Sequence, residues 1–407
     1  MYYIINQMYK KYFNHISQLK TYSILATIRS GSDFLQSLCD GHSQIMTFNG
    51  NFLPYSEFFS DPIFFNKKKS DLDLTVDKFI YKYFHRLNSK YDFFEKKYLM
   101  GYKRNESIKI NITEFKKHLI NFLKINTINT KNFYLSVHAA YELCLGYDIL
   151  KKKVIVFHPH LLCEFFLLNK DFPNTHVLLT YRDPRSAFYS SVNNYLAYFR
   201  QKNNLQFFYE IFSNLLRPIE NLNKYKKNDY TIIKLEDLPL KSIMINFSKL
   251  LNVNYKESLL KPTFAKILWG EDTLSRKKYS LKWSRDRVNN NYEKKMSNYD
   301  TLILNSIFFK RIKIYKYDIK SNLLFSYFFR FFFIFFPTTY ELKIMLIYNI
   351  RKIFFSNHDI KSRLILIFDY YFIFKRILLS VFCCFKDLIN FNNYLFYMHS
   401  KKILKNS

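Results

Sequence analysis

The sequence predicts an α/β protein, a three-layer α/β/α domain around a central parallel sheet. Three observations carry this. Short apolar runs alternate along the chain with stretches of helical periodicity, the order that builds a parallel sheet. The runs are apolar enough to be covered on both faces, as parallel strands are. Finally, 49% of the 407 residues are hydrophobic, which supports a sizeable core and excludes wholesale disorder. With only 6 Gly and 9 Pro, collagen-like, flexible-linker and Pro-rich classes are excluded as well.

Taken in order, MYYIINQMYKKYFNHISQLK has no uninterrupted apolar centre and no small-residue cleavage site. It is expected to be an amphipathic helix and not a signal peptide. TYSILATIRS reads as a buried strand ending in Arg29-Ser30-Gly31-Ser32. SDFLQSLCDGH follows as a helix, with Phe34, Leu35 and Leu38 at helical spacing. Residues 60–150 read as a mostly helical insertion with lysine-rich breaks. Lys152–His158 is the second strand and HLLCEFFLLNKDF the helix after it. THVLLTYRDP supplies a third strand, SAFYSSVNNYLAYF a helix, and DYTIIKLEDL a fourth strand.

From about Ser321 the character changes. NLLFSYFFRFFFIFFP is apolar but short, and the longer run SRLILIFDYYFIFKRILLSVFCCF is interrupted by Asp369, Lys375 and Arg376. A membrane span needs about 20 apolar residues. Two readings stay open: interfacial helices, apolar on one face and basic on the other, or a helical cap buried against the core. The division is thus an α/β domain over 1–320 and an aromatic-rich helical extension over 321–407.

Lys and Arg number 63 against 32 Asp and Glu, a formal net charge of +31. The charge is spread along the whole chain, and Lys, Asn, Ile, Phe and Tyr are all abundant. That pattern follows from an A/T-rich coding sequence, so the charge is only a prior on partners. It favours anionic ligands and an anionic membrane surface; nucleic acid is not the expected partner. The five Cys are odd in number and lack CxxC spacing. Neither a disulfide scaffold nor a zinc site is expected, which points to a reducing, cytoplasmic setting, peripheral to the membrane if the C-terminal helices lie on it.

Three loops carry candidate chemistry, all at carboxyl ends of strands, where α/β sheets bind ligands. Arg29-Ser30-Gly31-Ser32 opens a helix, whose first N–H groups and dipole favour an anion. Gly31 permits close backbone approach, Ser30 and Ser32 add hydroxyls, and Arg29 adds charge. The pattern GxxxxGK followed by Ser or Thr is absent, which disfavours an ordinary nucleoside triphosphatase. In LLTYRDPRSAFYSSVNNY, Arg182 closes a strand and Ser190 follows eight residues on, so the two could hold one phosphate. Asp183 can cap the helix that starts with Pro184, and can pair with Arg185. His158-Pro159-His160 closes the second strand. Without a carboxylate or Cys to complete a metal set, a general base is the economical role.

In motif, order and spacing these residues resemble the sulfotransferase family that uses 3′-phosphoadenosine 5′-phosphosulfate (PAPS). That family opens with a strand, then Lys or Arg, Ser or Thr, Gly, and Ser or Thr; Arg29-Ser30-Gly31-Ser32 matches, with Arg first as in the carbohydrate-modifying branch. Its 3′-phosphate site, an Arg at a strand end and a Ser eight residues later, matches Arg182 and Ser190. Its base, in Lys-x-His-Leu, matches His160-Leu161, 22 residues before Arg182. A basic pair before a Trp resembles Arg276-Lys277 and Trp283. The resemblance covers about residues 22–320. Asp33 stands where the family has Ser or Thr, His158 where it has Lys, Lys278 where it has Gly, and Leu235 where the soluble branch has an aromatic. Asn51 stands where bacterial glycan relatives often have Glu, which leaves His160 as the base.

The resemblance implies a P-loop-like fold and transfer of the sulfuryl group from PAPS to a hydroxyl of a glycan or lipid-linked glycan, with no metal. It implies PAPS contacts from Arg29, Ser30, Gly31, Ser32, Asp33, Phe34, Arg182, Ser190, Arg276 and Lys277, and catalysis by His160 and Arg29. The alternatives are a kinase-like or degenerate nucleotide-binding protein, and a basic membrane-surface protein without catalysis.

Overall fold

The computed structural model describes residues 2–88, 100–103, 105–198, 204–224, 230–269, 288, 292–318, 332–350 and 367–389. Five parallel strands form one sheet: β1 (Lys20–Ala26), β2 (Ile45–Thr47), β3 (Val154–His160), β4 (His176–Tyr181) and β5 (Tyr230–Lys234). Their order is β2-β3-β1-β4-β5, with β1 at the centre between β3 and β4. This is the α/β class expected from the sequence, and β1 with the loop and helix after it forms the expected strand–loop–helix unit.

Period-two alternation explains how both faces are covered. Tyr22, Ile24, Val154, Val156, Leu178 and Ile233 point to one face, where α2 (Ser32–Asp40) and α9 (Lys241–Leu251) pack. Ile155 and Phe157 point to the other face and meet α1 (Tyr2–Ser17), α5 (Thr130–Cys144) and α6 (Leu162–Asp171). On that second face Leu25, Val177 and Leu179 pack with Phe165 of α6. Helices α3 (Leu72–Asn88) and α4 (Ile112–Lys124), from the segment read as helical, extend this core. The abundance of Phe is used here: Phe52 lies edge-on to Phe79 and Tyr83 and stacked on Tyr134.

Strand bounds differ from the sequence reading in instructive ways. β3 runs two residues further, through His160, because His160 pairs with Leu25 of β1. β1 stops at Ala26, because the chain must turn before α2 and takes positive φ at Arg29 and Gly31. The strand β2 was not anticipated. Its edge is held by a buried ion pair, Lys152 Nζ to Glu142 Oε2 at 2.7 Å. Glu142 accepts from Thr47 N and Lys152 donates to Ile45 O.

A second helical body follows. It contains α7 (Pro184–Tyr198), α8 (Leu205–Lys224), α10 (Asn298–Ile314), α11 (Thr339–Lys343) and α12 (Tyr371–Ile389) around one apolar cluster. Of the charges that interrupt the C-terminal apolar run, Asp369 and Arg376 turn inward and do not form a basic outer face. Asp369 accepts from the backbone N–H of Leu205 and Gln206 and so caps α8. Arg376 is fully buried, paired with Glu341 at 3.1 Å and bonded to Ile334 O and Phe336 O. Among the described residues no helix is long and apolar enough to cross a membrane.

Candidate active site

The loops after β1, β3 and β4 meet at one edge of the sheet, because the register sets Leu25 beside His160 and Ala26 beside Thr180. Between Ala26 and Ser32 the chain takes φ 53° at Arg29 and φ 82° at Gly31. A Cβ on Gly31 would lie 2.4 Å from Leu235 Cδ1. Glycine is thus demanded by backbone conformation and by a side chain from the turn after β5. Gly31 precedes α2 and offers no side-chain cap. Leu35 N makes the first helical bond, to Gly31 O. The amides of Ser32, Asp33 and Phe34 belong to the turn whose N–H groups lack helical acceptors, at the positive end of the dipole.

Ser30 is engaged within the protein. Its hydroxyl donates to Thr27 O at 2.6 Å and meets Thr180 Oγ1 at 2.8 Å, and the residue is buried. It ties the loop to β4. Phe34 is half-buried and packs against the cores of both faces.

Arg29 Nε donates to Ser190 Oγ at 3.5 Å. Arg182 lies behind them, donating from Nη1 to Arg29 O at 3.3 Å and from Nη2 to Val288 O. Ser190 accepts from Arg29, while Arg182, expected to hold one phosphate together with Ser190, bonds backbone carbonyls. The reason is burial: a guanidinium inside the protein must bond the carbonyls within reach. Burial is also the main cause that lowers the Arg182 pKa to about 10; Glu236 opposes this and Arg29 adds to it. Two guanidinium groups thus share one sheet edge, an arrangement that an anion relieves. Asp183 and Arg185 form a buried bidentate pair, at 2.7 and 3.0 Å, that starts α7. Glu236 accepts from Asp183 N and from Tyr317 Oη, and burial raises its pKa.

The third loop holds a chain of polar groups whose protons can be assigned. Gln36 directs Nε2 at three acceptors, Phe48 O, Gly50 O and Thr47 Oγ1. Its Oε1 therefore faces His158 Nδ1, at 2.7 Å, and must accept a proton from it. His158 Nε2 is then the acceptor, and His160 Nδ1, 3.3 Å away, is the donor. Ser32 Oγ lies 3.2 Å from the same His160 nitrogen. The tautomer that follows puts the lone pair of His160 on Nε2, which is the state a general base requires. His160 also adopts φ 60°, rare for a residue with a side chain. Asp33 Oδ1 stands 3.8 Å from His158 Nδ1, so its carboxylate is directed at the histidine pair.

Arg29, Ser32, His160, Arg182 and Ser190 are thus brought to one edge. Arg276, Lys277, Lys278 and Trp283 lie outside the described residues. Sequence reading missed Gln36 and Thr180, which bond His158 and Ser30. The only signal for either was a polar residue inside an otherwise apolar strand or helix. Among the described residues, no group of three or more His, Cys, Asp or Glu is arranged to hold a metal ion.

No family model matches the chain, and no curated protein matches it. A solved structure that it resembles is a sulfotransferase domain from the curacin biosynthetic pathway. The likeness has 15% identity and a TM-score of 0.34 over 60% of this chain and 78% of that one.

Proposed function

We propose that this chain is a PAPS-dependent sulfotransferase that acts on a hydroxyl of a glycan or lipid-linked glycan. The observation that carries the proposal is the meeting, at one sheet edge, of an uncapped helix start, the Arg29–Ser190 pair and a histidine whose tautomer is set from behind. The donor set fits a nucleotide with phosphate at both ends. The amides of Ser32, Asp33 and Phe34 with Arg29 would hold the 5′ end. Arg182 and Ser190 would hold the 3′-phosphate, with Arg182 exchanging backbone carbonyls for it; Arg276 and Lys277 would add charge. PAPS would supply a sulfuryl group that is already activated, so the protein's part is positioning and charge neutralisation.

His160 would take the acceptor proton at Nε2. The developing imidazolium is supported at Nδ1 by His158, and His158 in turn by Gln36. Arg29 would neutralise charge growing at the phosphate side. His158 thereby fills the place of the family's lysine with a different task, setting a tautomer.

The test is transfer of radiolabelled sulfuryl from PAPS to a panel of neutral and acidic glycans and glycolipids. Wild-type protein should label at least one class. His160→Ala should lower that rate by about 10²–10⁴-fold while PAPS affinity is retained. Labelling undiminished in His160→Ala would remove the histidine from the base role, and absence of labelling across the panel would count against the activity.

A further inference from the structure

Helix α12 (Tyr371–Ile389) is apolar on both sides, and among the described residues only one side is buried. Arg376, Leu379, Cys383 and Cys384 are buried against the helical core that includes α8. On the opposite side Tyr371, Phe374, Leu378 and Phe382 follow one another at helical spacing and are 51–57% exposed; Phe368, just before the helix, is 71% exposed. Eleven of the twenty exposed large hydrophobic side chains among the described residues fall between 332 and 389. Isolated apolar residues on a surface need no explanation, but a continuous stripe does.

Charge says what covers it. Residues 321–407 hold twelve Lys or Arg and four Asp or Glu. Two of those four acids, Glu341 and Asp369, are buried and engaged inside the molecule. Two of the cations border the stripe: Lys375 Nζ lies 4.6 Å from the Tyr371 ring, and Lys386 Nζ lies 4.4 Å from the Phe382 ring. Lysine stems laid along apolar rings with their charge outward suit a boundary between hydrocarbon and anionic headgroups. A second copy of a chain carrying +31 would be repelled.

We infer that the outer face of α12 docks on an anionic lipid bilayer, with Phe374, Leu378 and Phe382 entering the headgroup–acyl boundary and the lysines on the headgroups. This stands on observations separate from the sulfuryl-transfer site. The test is co-sedimentation of the full chain with vesicles of phosphatidylcholine, with and without about one-third phosphatidylserine. The expected result is binding at least about tenfold tighter to the anionic vesicles, weakened by salt. Phe374→Ser/Leu378→Ser/Phe382→Ser should lose about tenfold or more of that affinity with its melting temperature unchanged. Equal binding to both vesicles, or equal binding by the variant, overturns the inference. So does a marked fall in the variant's melting temperature, which would show that this chain's own residues cover the face. A concentration-dependent dimer abolished by the same variant would assign the face to a second copy instead.

Discussion

Gly31 stands at φ 82° with Leu235 packed where a side chain would begin. Gly31→Ala should destabilise the protein by about 1–3 kcal/mol through left-handed strain and overpacking, read as a lower melting temperature. Adding Leu235→Ala should relieve the overpacking and leave the backbone strain, so recovery should be partial; full recovery would show that conformation is not what requires glycine there. The motif residues were legible because their chemistry depends on short spacing: Arg29 to Ser32 within one turn, Arg182 to Ser190 within two. Their partners were less so. Ser30 turns to Thr180, 150 positions away, and Ser190 turns to Arg29. Gln36 orients His158 across 122 positions, and nothing local distinguishes it from any polar residue in a helix.

The strands were legible as apolar runs, but their ends were not, because register with a neighbour decides where a strand stops. β3 gained His160 for that reason. Three-residue β2 is too short to show periodicity, and its stability comes from Glu142 and Lys152 on other elements. Helix α5 carries a liability of its own. His138 is buried among Phe48, Phe52, Tyr134 and Phe157, donates from Nδ1 to Tyr134 O, and burial lowers its pKa to about 4. In the unfolded chain the ring protonates first, from its ordinary 6.5. Its contribution is therefore fully present above that value and is lost as pH falls toward 4, by roughly 3 kcal/mol. Urea unfolding at stepped pH should show this loss, and His138→Phe should flatten the curve in that window. An unchanged slope in the variant would place the acid sensitivity elsewhere.

Across the whole molecule, the C-terminal helices α11 and α12 share one apolar core with α7, α8 and α10, where the sequence left open a buried cap or a surface layer. The inner face of α12 closes that core, and Arg376 joins α12 to α11 through Glu341. Two of the three charges that looked like interruptions of an apolar run, Asp369 and Arg376, are its internal fastenings, and only burial reveals that. Arg376→Met should cost about 3–5 kcal/mol, because Glu341 would be left buried without its cation. A melting temperature within a degree or so of wild type would instead mean that the C-terminal helices contribute little to global stability. In the proposed function, the sheet edge is built for a nucleotide phosphorylated at both ends. The most direct measurement is the thermal shift given by adenosine 3′,5′-bisphosphate against ADP, each with and without Mg²⁺, in wild type and in Arg182→Ala. At 100 times its dissociation constant the bisphosphate should add about 2.7 kcal/mol of stability, without metal, and Arg182→Ala should weaken its binding by about 2–5 kcal/mol. Equal shifts from both nucleotides, a shift only with ADP and Mg²⁺, or none would contradict the claim.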